Sequence, residues 1–299
     1  MRRLFARLLA VLAAGAVLVG LWAWARIGRV DAERVTPDVW MLTGIGGNVA
    51  VLVTGAGVVV VDTMTFTRTG EAIVKKVAEL TDQPIVAILN THYHRDHTHG
   101  NPGFAPGTRV ISTVNTLRHL KELDADYWRE SPAHDLLPND TITDAKELRI
   151  GSKTIRASYH GRGHTDGDLV VQFVEDRVLA SGDLGWNGHW PNIDLEAGAS
   201  VRLWPATLDS VLALDGWDKV IPGHGALTDR TGLVAFRDFL TTLWNETSAV
   251  AARGGTVDEA LATVDLDRWH MRGIWFVRFL TRDFVIRRTF EEASAGRKS

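Results

Sequence analysis

Apolar residues recur along the chain with two different spacings. Residues 69–81 carry apolar side chains at helical spacing, which predicts a first amphipathic helix. Residues 84–90 form a β-branched and apolar run that is typical of a buried strand. Further helices are predicted at 114–123 and 205–214, and further strands at 148–150, 154–159, 169–174 and 178–180. Strands therefore alternate with helices over most of the chain.

Two long segments between these elements, 124–144 and 186–204, are predicted to be loops. Loops of that length in compact domains are usually functional or mobile, so we assign substrate specificity to them. From residue 229 onward the pattern is almost wholly helical, with helices predicted at 233–252, 257–264 and 274–293. We divide the chain into an N-terminal segment (1–28), a main domain (29–228) and a helical extension (229–299) packed on that domain.

The N-terminal segment is predicted to be a signal peptide or a membrane anchor. Three arginines precede the apolar run 8–25, whose eighteen residues can just span a bilayer as a helix. The run exceeds the usual signal-peptide length of about 7–15 residues, yet Ala23-Trp24-Ala25 is an acceptable cleavage site. Either way the rest of the chain is exported. We expect it at the periplasmic face of the inner membrane, in contact with the bilayer through 8–25, or free in the periplasm or medium after cleavage.

Composition narrows the choice of partners. The 299 residues are enough for a sizeable core, and 45% hydrophobic with 23% charged residues is ordinary for a globular protein. The net charge of -3, with no basic stripe, argues against a nucleic-acid partner. The chain has no cysteine, which excludes disulfides and thiolate metal ligands and is compatible with the periplasm. Oligomeric state is left open.

The densest chemistry in the chain is His92-Tyr93-His94-Arg95-Asp96-His97, directly after the predicted strand 84–90. A turn at a strand end points alternate side chains the same way, so His92 and His94 can bind one ion. Asp96 and His97 follow one step further on and are placed for a second ion. Imidazole nitrogen mixed with carboxylate oxygen suits borderline and hard cations, and zinc is the commonest of these.

Three further turns place metal-capable side chains just beyond predicted strands. They are Gly163-His164-Thr165, Ser181-Gly182-Asp183 and Gly223-His224-Gly225. Glycines in these turns let the backbone approach a bound ion closely. Four strand ends that offer ligands are far more specific than any one of the motifs.

Together these motifs resemble the metallo-beta-lactamase superfamily, over about residues 31–228. The runs 47–53 and 57–63 also resemble the first hairpin of that family. The resemblance implies an α/β protein, a four-layer αββα sandwich, here with C-terminal helices and an N-terminal apolar helix. It makes 29–228 the catalytic domain. It also implies a first metal held by His92, His94 and His164, and a second held by Asp96, His97 and His224, with Asp183 bridging.

One position separates this chain from a branch of the family. Zinc beta-lactamases with a cysteine in the second site need a thiol near Asp183, and this chain has none. Asp183 instead resembles the bridging carboxylate of glyoxalase II and related hydrolases. The difference disfavours a dedicated beta-lactamase without excluding lactam turnover.

Five further residues are candidates for supporting roles. Asp62, at the end of a run of valines, and His160, just before a ligand turn, could support the metal ligands. Trp186, His189 and Trp190 lie in the loop after Asp183 and could contact substrate. The alternatives are a strand cap for Asp62, a structural role for His160, and tryptophans that only seal the loop onto the core.

The chemistry implied is hydrolysis of a small-molecule ester, thioester, amide or lactam by a metal-bound hydroxide. The cofactor would be two divalent ions, most readily zinc, with iron or manganese as alternatives. Asp96 is the candidate catalytic residue, because it can orient the nucleophile and move its proton. Three alternatives remain: a beta-lactamase proper, an iron-dependent sulfur dioxygenase of the same fold, and a membrane-tethered metal-binding protein without turnover.

Overall fold

The computed structural model of the chain describes residues 26–274, 277 and 279–295, together with the single residues 15, 20 and 24. The predicted apolar helix at 8–25 therefore lies almost entirely outside the described residues. Within the part of the chain that is described, no helix is long and apolar enough to cross a membrane.

The first sheet has seven strands in sequence order: β1 Asp31–Arg34, β2 Val39–Thr43, β3 Val49–Val53, β4 Val58–Val61, β5 Ile85–Leu89, β6 Arg109–Thr113 and β7 Asp140–Ile142. Neighbours from β1 to β4 are antiparallel, and neighbours from β4 to β7 are parallel. The carboxyl ends of β4 and β5 therefore meet at one edge of the sheet.

The second sheet has six strands in the order β13-β12-β11-β10-β9-β8. Its members are β8 Ala145–Ile150, β9 Lys153–Tyr159, β10 Leu169–Phe173, β11 Val178–Trp186, β12 Lys219–His224 and β13 Thr228–Asp229. Only β11 and β12 pair in parallel among these described strands. Their carboxyl ends lie side by side and carry Asp183 and His224.

Eight α-helices accompany the sheets in the described residues: α1 Thr67–Leu80, α2 Arg95–Thr98, α3 Val114–Glu122, α4 Ala125–Trp128, α5 Trp204–Leu212, α6 Arg230–Ala252, α7 Val257–Thr263 and α8 Arg282–Ala295. Helix α1 packs on the outer face of the first sheet, with Ile73 among the core residues there. Helices α5 to α8 share a core with β11 and β12 of the second sheet. The predicted αββα sandwich is confirmed.

The valine run of β4 shows why the sandwich forms. Val59 and Val61 pack in the core between the two sheets, whereas Val58 and Val60 pack towards α1. Successive side chains of a strand point to opposite faces, so a strand buried on both faces must be apolar throughout.

Three predicted elements differ in the structure. The helix predicted at 274–293 begins only at Arg282, where the Thr281 hydroxyl accepts the amide proton of Phe284. The predicted loop 124–144 contains α4 and the short edge strand β7. Strand β11 continues to Trp186 because it pairs with β12, so Asp183 lies within a strand and not just beyond one.

Candidate metal centre

The carboxyl ends of β5, β11 and β12 and the turn 163–165 bring the predicted ligands together at one edge of the sandwich. His92 and His94 lie in the turn that leaves β5, and His94 is the residue before α2. Asp96 and His97 lie on the first turn of α2. Because the backbone changes from turn to helix between His94 and Asp96, the pair His92 and His94 points in a different direction from the pair Asp96 and His97.

The first group consists of His92, His94, His164 and Asp183. His94 Nδ1 lies 3.1 Å from His92 Nε2 and 2.8 Å from His164 Nε2. Asp183 Oδ2 lies 3.4 Å from His164 Nε2 and 3.9 Å from His92 Nε2. Three ring nitrogens and one carboxylate oxygen therefore converge on a single point.

The second group consists of Asp96, His97 and His224. His224 Nε2 lies 3.2 Å from Asp96 Oδ2 and 3.4 Å from His97 Nε2. The other oxygen of Asp183, Oδ1, lies 3.1 Å from His97 Nε2 and 3.5 Å from His224 Nε2. Each oxygen of Asp183 therefore faces a different group.

This donor set fits divalent cations. Ring nitrogens of the first group lie 2.8–3.1 Å apart beside a buried carboxylate. All of them can donate an electron pair to one cation placed between them. Tetrahedral zinc sites use nitrogen and oxygen donors of this kind. His92, His94 and His164 with Asp183 could hold one ion. Asp96, His97 and His224 with the same Asp183 could hold a second.

Two glycines allow this arrangement. Gly182 has φ of 51°, in the left-handed region, and a Cβ there would lie 2.4 Å from the Thr91 hydroxyl oxygen. A Cβ on Gly223 would lie 2.0 Å from Asp183 Oδ1. A side chain at position 223 would displace the carboxylate that both groups share, and one at position 182 would displace the Thr91 hydroxyl that contacts His92.

A carboxylate stands behind one histidine of each group. Asp62 Oδ2 lies 2.7 Å from His97 Nδ1, and the Asp62 carboxylate also accepts hydrogen bonds from the Thr91 amide and hydroxyl. Asp194 Oδ2 lies 2.9 Å from His94 Nε2 and accepts the Tyr93 hydroxyl proton. Such partners fix the ring orientation and tautomer of a metal-binding histidine.

Two other histidines are held by neutral oxygen atoms. His92 Nδ1 lies 3.0 Å from the Thr91 hydroxyl oxygen, and His164 Nδ1 lies 3.0 Å from the Asn192 carbonyl oxygen. The Asp62 contact agrees with the supporting role predicted for it. Asp194 and Asn192 were missed, because no local motif marks either residue within the loop after β11.

The two groups differ in their electrostatics. Burial, followed by the neighbouring imidazoles, holds the pKa of His92 well below its usual value, and burial lowers the pKa of His164 to about 4. Burial acts in the same direction on His97, but Asp183, Asp62 and Asp96 outweigh it and hold the pKa of His97 well above its usual value. The imidazoles around Asp183 likewise outweigh its burial and lower its pKa to about 2.

A cavity of about 410 Å³ opens over both groups. Its polar lining residues are Thr65, His94, Arg95, Asp96, Asp183, Asn192 and His224. The indole of Trp186 also lines it and stacks on His224 at 4.3 Å between ring centroids. Apolar side chains complete the lining: Ile45, Phe66, Ile274, Val277, Phe279 and Leu280.

Three of the predicted supporting residues lie elsewhere. His160 contacts the hydroxyls of Ser158 and Ser210, away from the ligands. Trp190 packs on the core, with its ring 6.0 Å from that of Phe239, and does not line the cavity. His189 also lies outside the lining, against the backbone of residues 272–273. The loop doubles back onto the C-terminal extension, which carries these two side chains away from the ligands.

Comparisons with known proteins agree with this geometry. The family model of the metallo-beta-lactamase superfamily matches residues 42–224, which is more than half of the chain. The chain is 26% identical over 223 residues to "Metallo-beta-lactamase type 2" from Bacillus sp. (strain 170), an alignment that covers 71% of this chain and 83% of the relative.

Two solved structures show the same fold. The DIM-1 metallo-beta-lactamase aligns with a TM-score of 0.61 and 22% identity, covering 72% of this chain and 98% of that one. The stereoselective inverting sec-alkylsulfatase Pisa1 from Pseudomonas sp. aligns with a TM-score of 0.71 and 19% identity. That alignment covers 88% of this chain but only 50% of the sulfatase.

Proposed function

Because the chain belongs to the metallo-beta-lactamase superfamily, we propose that it is a hydrolase with a dinuclear metal centre, most readily of zinc, that cleaves an ester, thioester, amide or lactam bond in a small molecule. The position of Asp183 carries the proposal. Its Oδ2 lies 3.4 Å from His164 in one group, and its Oδ1 lies 3.1 Å from His97 in the other. A carboxylate shared between two donor groups can hold two ions close enough together to act on one substrate.

The residues divide the work as follows. When bound, two divalent ions supply a nucleophile at neutral pH and polarise the bond under attack. Asp96 faces the cavity, and the neighbouring imidazoles of His97 and His224 outweigh its burial and hold its pKa below the usual range. Asp96 therefore stays ionised at neutral pH and can accept a hydrogen bond, and then a proton, from the attacking water.

A beta-lactamase proper, specialised for lactams, is the second candidate function. It is favoured by the similarity to a metallo-beta-lactamase that extends over 83% of the relative's length. However, the chain has an aspartate at position 183 and no cysteine, so it cannot form the cysteine-containing second site found in part of that family. A chromogenic cephalosporin separates this candidate from ester and thioester hydrolysis.

For the N-terminal segment, we propose that residues 1–28 export the chain, either as a retained anchor or as a cleaved signal peptide. The apolar run 8–25 after three arginines supports export. Intact-mass measurement of the chain from separated membrane and periplasmic fractions distinguishes the two forms. A full-length chain found only in the cytoplasm would contradict both.

The decisive experiment combines metal analysis with turnover. We expect the full chain to bind about two divalent ions, and chelation to abolish hydrolysis of a panel of aryl esters, thioesters, lactams and sulfate esters. Removal of metal should also lower the melting temperature, because an ion that binds only the folded state stabilises it. One iron ion per chain would favour an iron-dependent sulfur dioxygenase instead. Two ions without turnover of any panel member would favour the binding protein.

A further inference from the structure

The cavity over the metal centre has a polar side and an apolar side. Four of its six apolar lining residues come from one short stretch before α8, and we call Ile274, Val277, Phe279 and Leu280 the C-terminal wall. The family model matches only residues 42–224, so the wall lies outside the region that defines the family. The wall therefore lies outside the part of the chain that provides the metal donors.

Backbone hydrogen bonds hold the wall in place. The Arg272 amide donates to the Gly188 carbonyl at 2.9 Å, and the Trp190 amide donates to the Arg272 carbonyl at 3.0 Å. Within the wall, the Val277 amide donates to the Ile274 carbonyl at 2.9 Å. Leu280 is buried in the core between the second sheet and the C-terminal helices. These contacts tie the wall to the loop after β11 and to the core of the second sheet.

The mouth of the cavity exposes two aromatic rings. Phe279 is 57% exposed, and Phe66, the residue before α1, is 41% exposed. The described residues include only five large hydrophobic side chains that are exposed, and two of the five line this cavity. Exposed apolar surface that is continuous with a polar site is typical of a ligand-binding groove.

We propose that the substrate is an amphiphile whose cleavable polar group lies on the metal donors and whose hydrocarbon chain lies along the C-terminal wall towards Phe66 and Phe279. This inference rests on the proposed function, because the metal centre must hold the polar group. The cavity of about 410 Å³ is within the size range of small-molecule sites. Each methylene group that leaves water for such a surface strengthens binding by up to about fourfold.

The test uses n-alkyl hydroxamates, whose head group chelates metal and whose chain can be lengthened from two to eight carbons. They are titrated by calorimetry into the zinc-loaded full chain, with the metal-free chain as the blank for non-specific partitioning. We expect the dissociation constant to fall by about two- to fourfold per methylene group. The heat capacity of binding should become more negative with chain length.

Two double variants test where the hydrocarbon chain binds. Phe66→Ser with Phe279→Ser should reduce the dependence on chain length to less than about 1.5-fold per methylene group, because the exposed part of the apolar lining is lost. Val114→Ser with Leu123→Ser removes two other exposed apolar side chains, each 48% exposed and outside the cavity lining. That control should keep the wild-type dependence. Both are compared at equal zinc content and after circular dichroism has verified folding.

Each outcome decides the inference. A flat chain-length profile in the wild type overturns it, and so does an unchanged profile in the Phe66/Phe279 variant. A change of oligomeric state in that variant, with the profile intact, would assign the exposed rings to contact with a second copy and overturn the inference as well. If no member of the ester, thioester and lactam panel is turned over but the profile has the expected slope, the proposed hydrolysis fails while the apolar-chain subsite stands.

Discussion

The two candidate metal groups lie side by side and share Asp183, yet they are built differently. The first contributes three imidazoles, held from behind by a hydroxyl, a backbone carbonyl and the carboxylate of Asp194. The second contributes one carboxylate and two imidazoles, with the carboxylate of Asp62 behind His97. The second group therefore has more negative charge around fewer rings.

This difference affects the protonation of the histidines that a cation would bind. The pKa values of His92 and His164 are lowered, so these two rings of the first group are neutral at neutral pH. The pKa of His97 is raised by the surrounding carboxylates, so the second group carries a proton until a cation replaces it. His92 and His164 can therefore bind an ion without releasing a proton, whereas His97 must release one.

Asp183→Ala should have the largest effect, because it removes an oxygen donor from both groups at once. We expect the metal content to fall below one ion per chain and turnover to fall by more than the roughly 10²–10⁴-fold that follows the loss of a single acid–base group. Elemental analysis and steady-state kinetics of the same preparation test this. Two ions retained by the variant would show that Asp183 bridges nothing.

Asp96→Asn should separate the two groups. The amide keeps the shape of the side chain but loses the charge beside His224 and the capacity to accept a proton. Turnover should fall by at least about 100-fold, while the ion of the first group stays bound. A near-normal rate of this variant at neutral pH would show that Asp96 has no role in catalysis.

Acidification should remove the ion of the second group first. A proton and a cation compete for His97, whose raised pKa favours the proton, so affinity should fall about tenfold for each pH unit below neutrality. His164, whose pKa is about 4, and His92, whose pKa is well below its usual value, should lose their hold on the first ion only at lower pH. Metal content after dialysis at pH 7, 6 and 5 measures this. In Asp96→Asn, the single remaining ion should survive at pH 5, and its loss there would contradict the ordering.

Asp62→Asn and Asp194→Asn form a matched pair, one for each group. Each substitution should lower the binding affinity for the ion of its own group by about 10- to 100-fold and leave the affinity for the other ion nearly unchanged. Asp62 has φ of 64°, a conformation that asparagine tolerates, so the substitution tests the charge and not the backbone. Competition with a chromophoric chelator gives both affinities. Equal loss of both ions in either variant would mean that the groups act as one unit.

His189→Ala should have the smallest effect. The ring lies against the backbone of residues 272–273 and outside the cavity lining, so both ions should remain bound. Turnover should change by less than about threefold, because the ring belongs neither to the metal donors nor to the cavity lining. Loss of an ion from this variant would show that the loop supports the metal centre directly.

Local rules account for what could be predicted from sequence. The valines of β4 and the helical spacing of α1 are properties of a few consecutive residues, and both elements form as expected. The same rules failed for Ile274, Val277, Phe279 and Leu280, which line the cavity before α8 begins at Arg282. Apolar spacing indicates a face that can pack against something, but not which surface or ligand it meets.

The sequence by itself determined the seven candidate ligands, because glycine turns at strand ends and closely spaced histidines are local features. Only the tertiary structure decided that the two oxygens of Asp183 face different groups. It alone brought Asp194 to His94, 100 residues earlier in the chain, and set the C-terminal wall beside the metal donors. Such pairs meet because two sheets pack face to face, and the energy of that packing is spread over the whole core and not encoded near either partner.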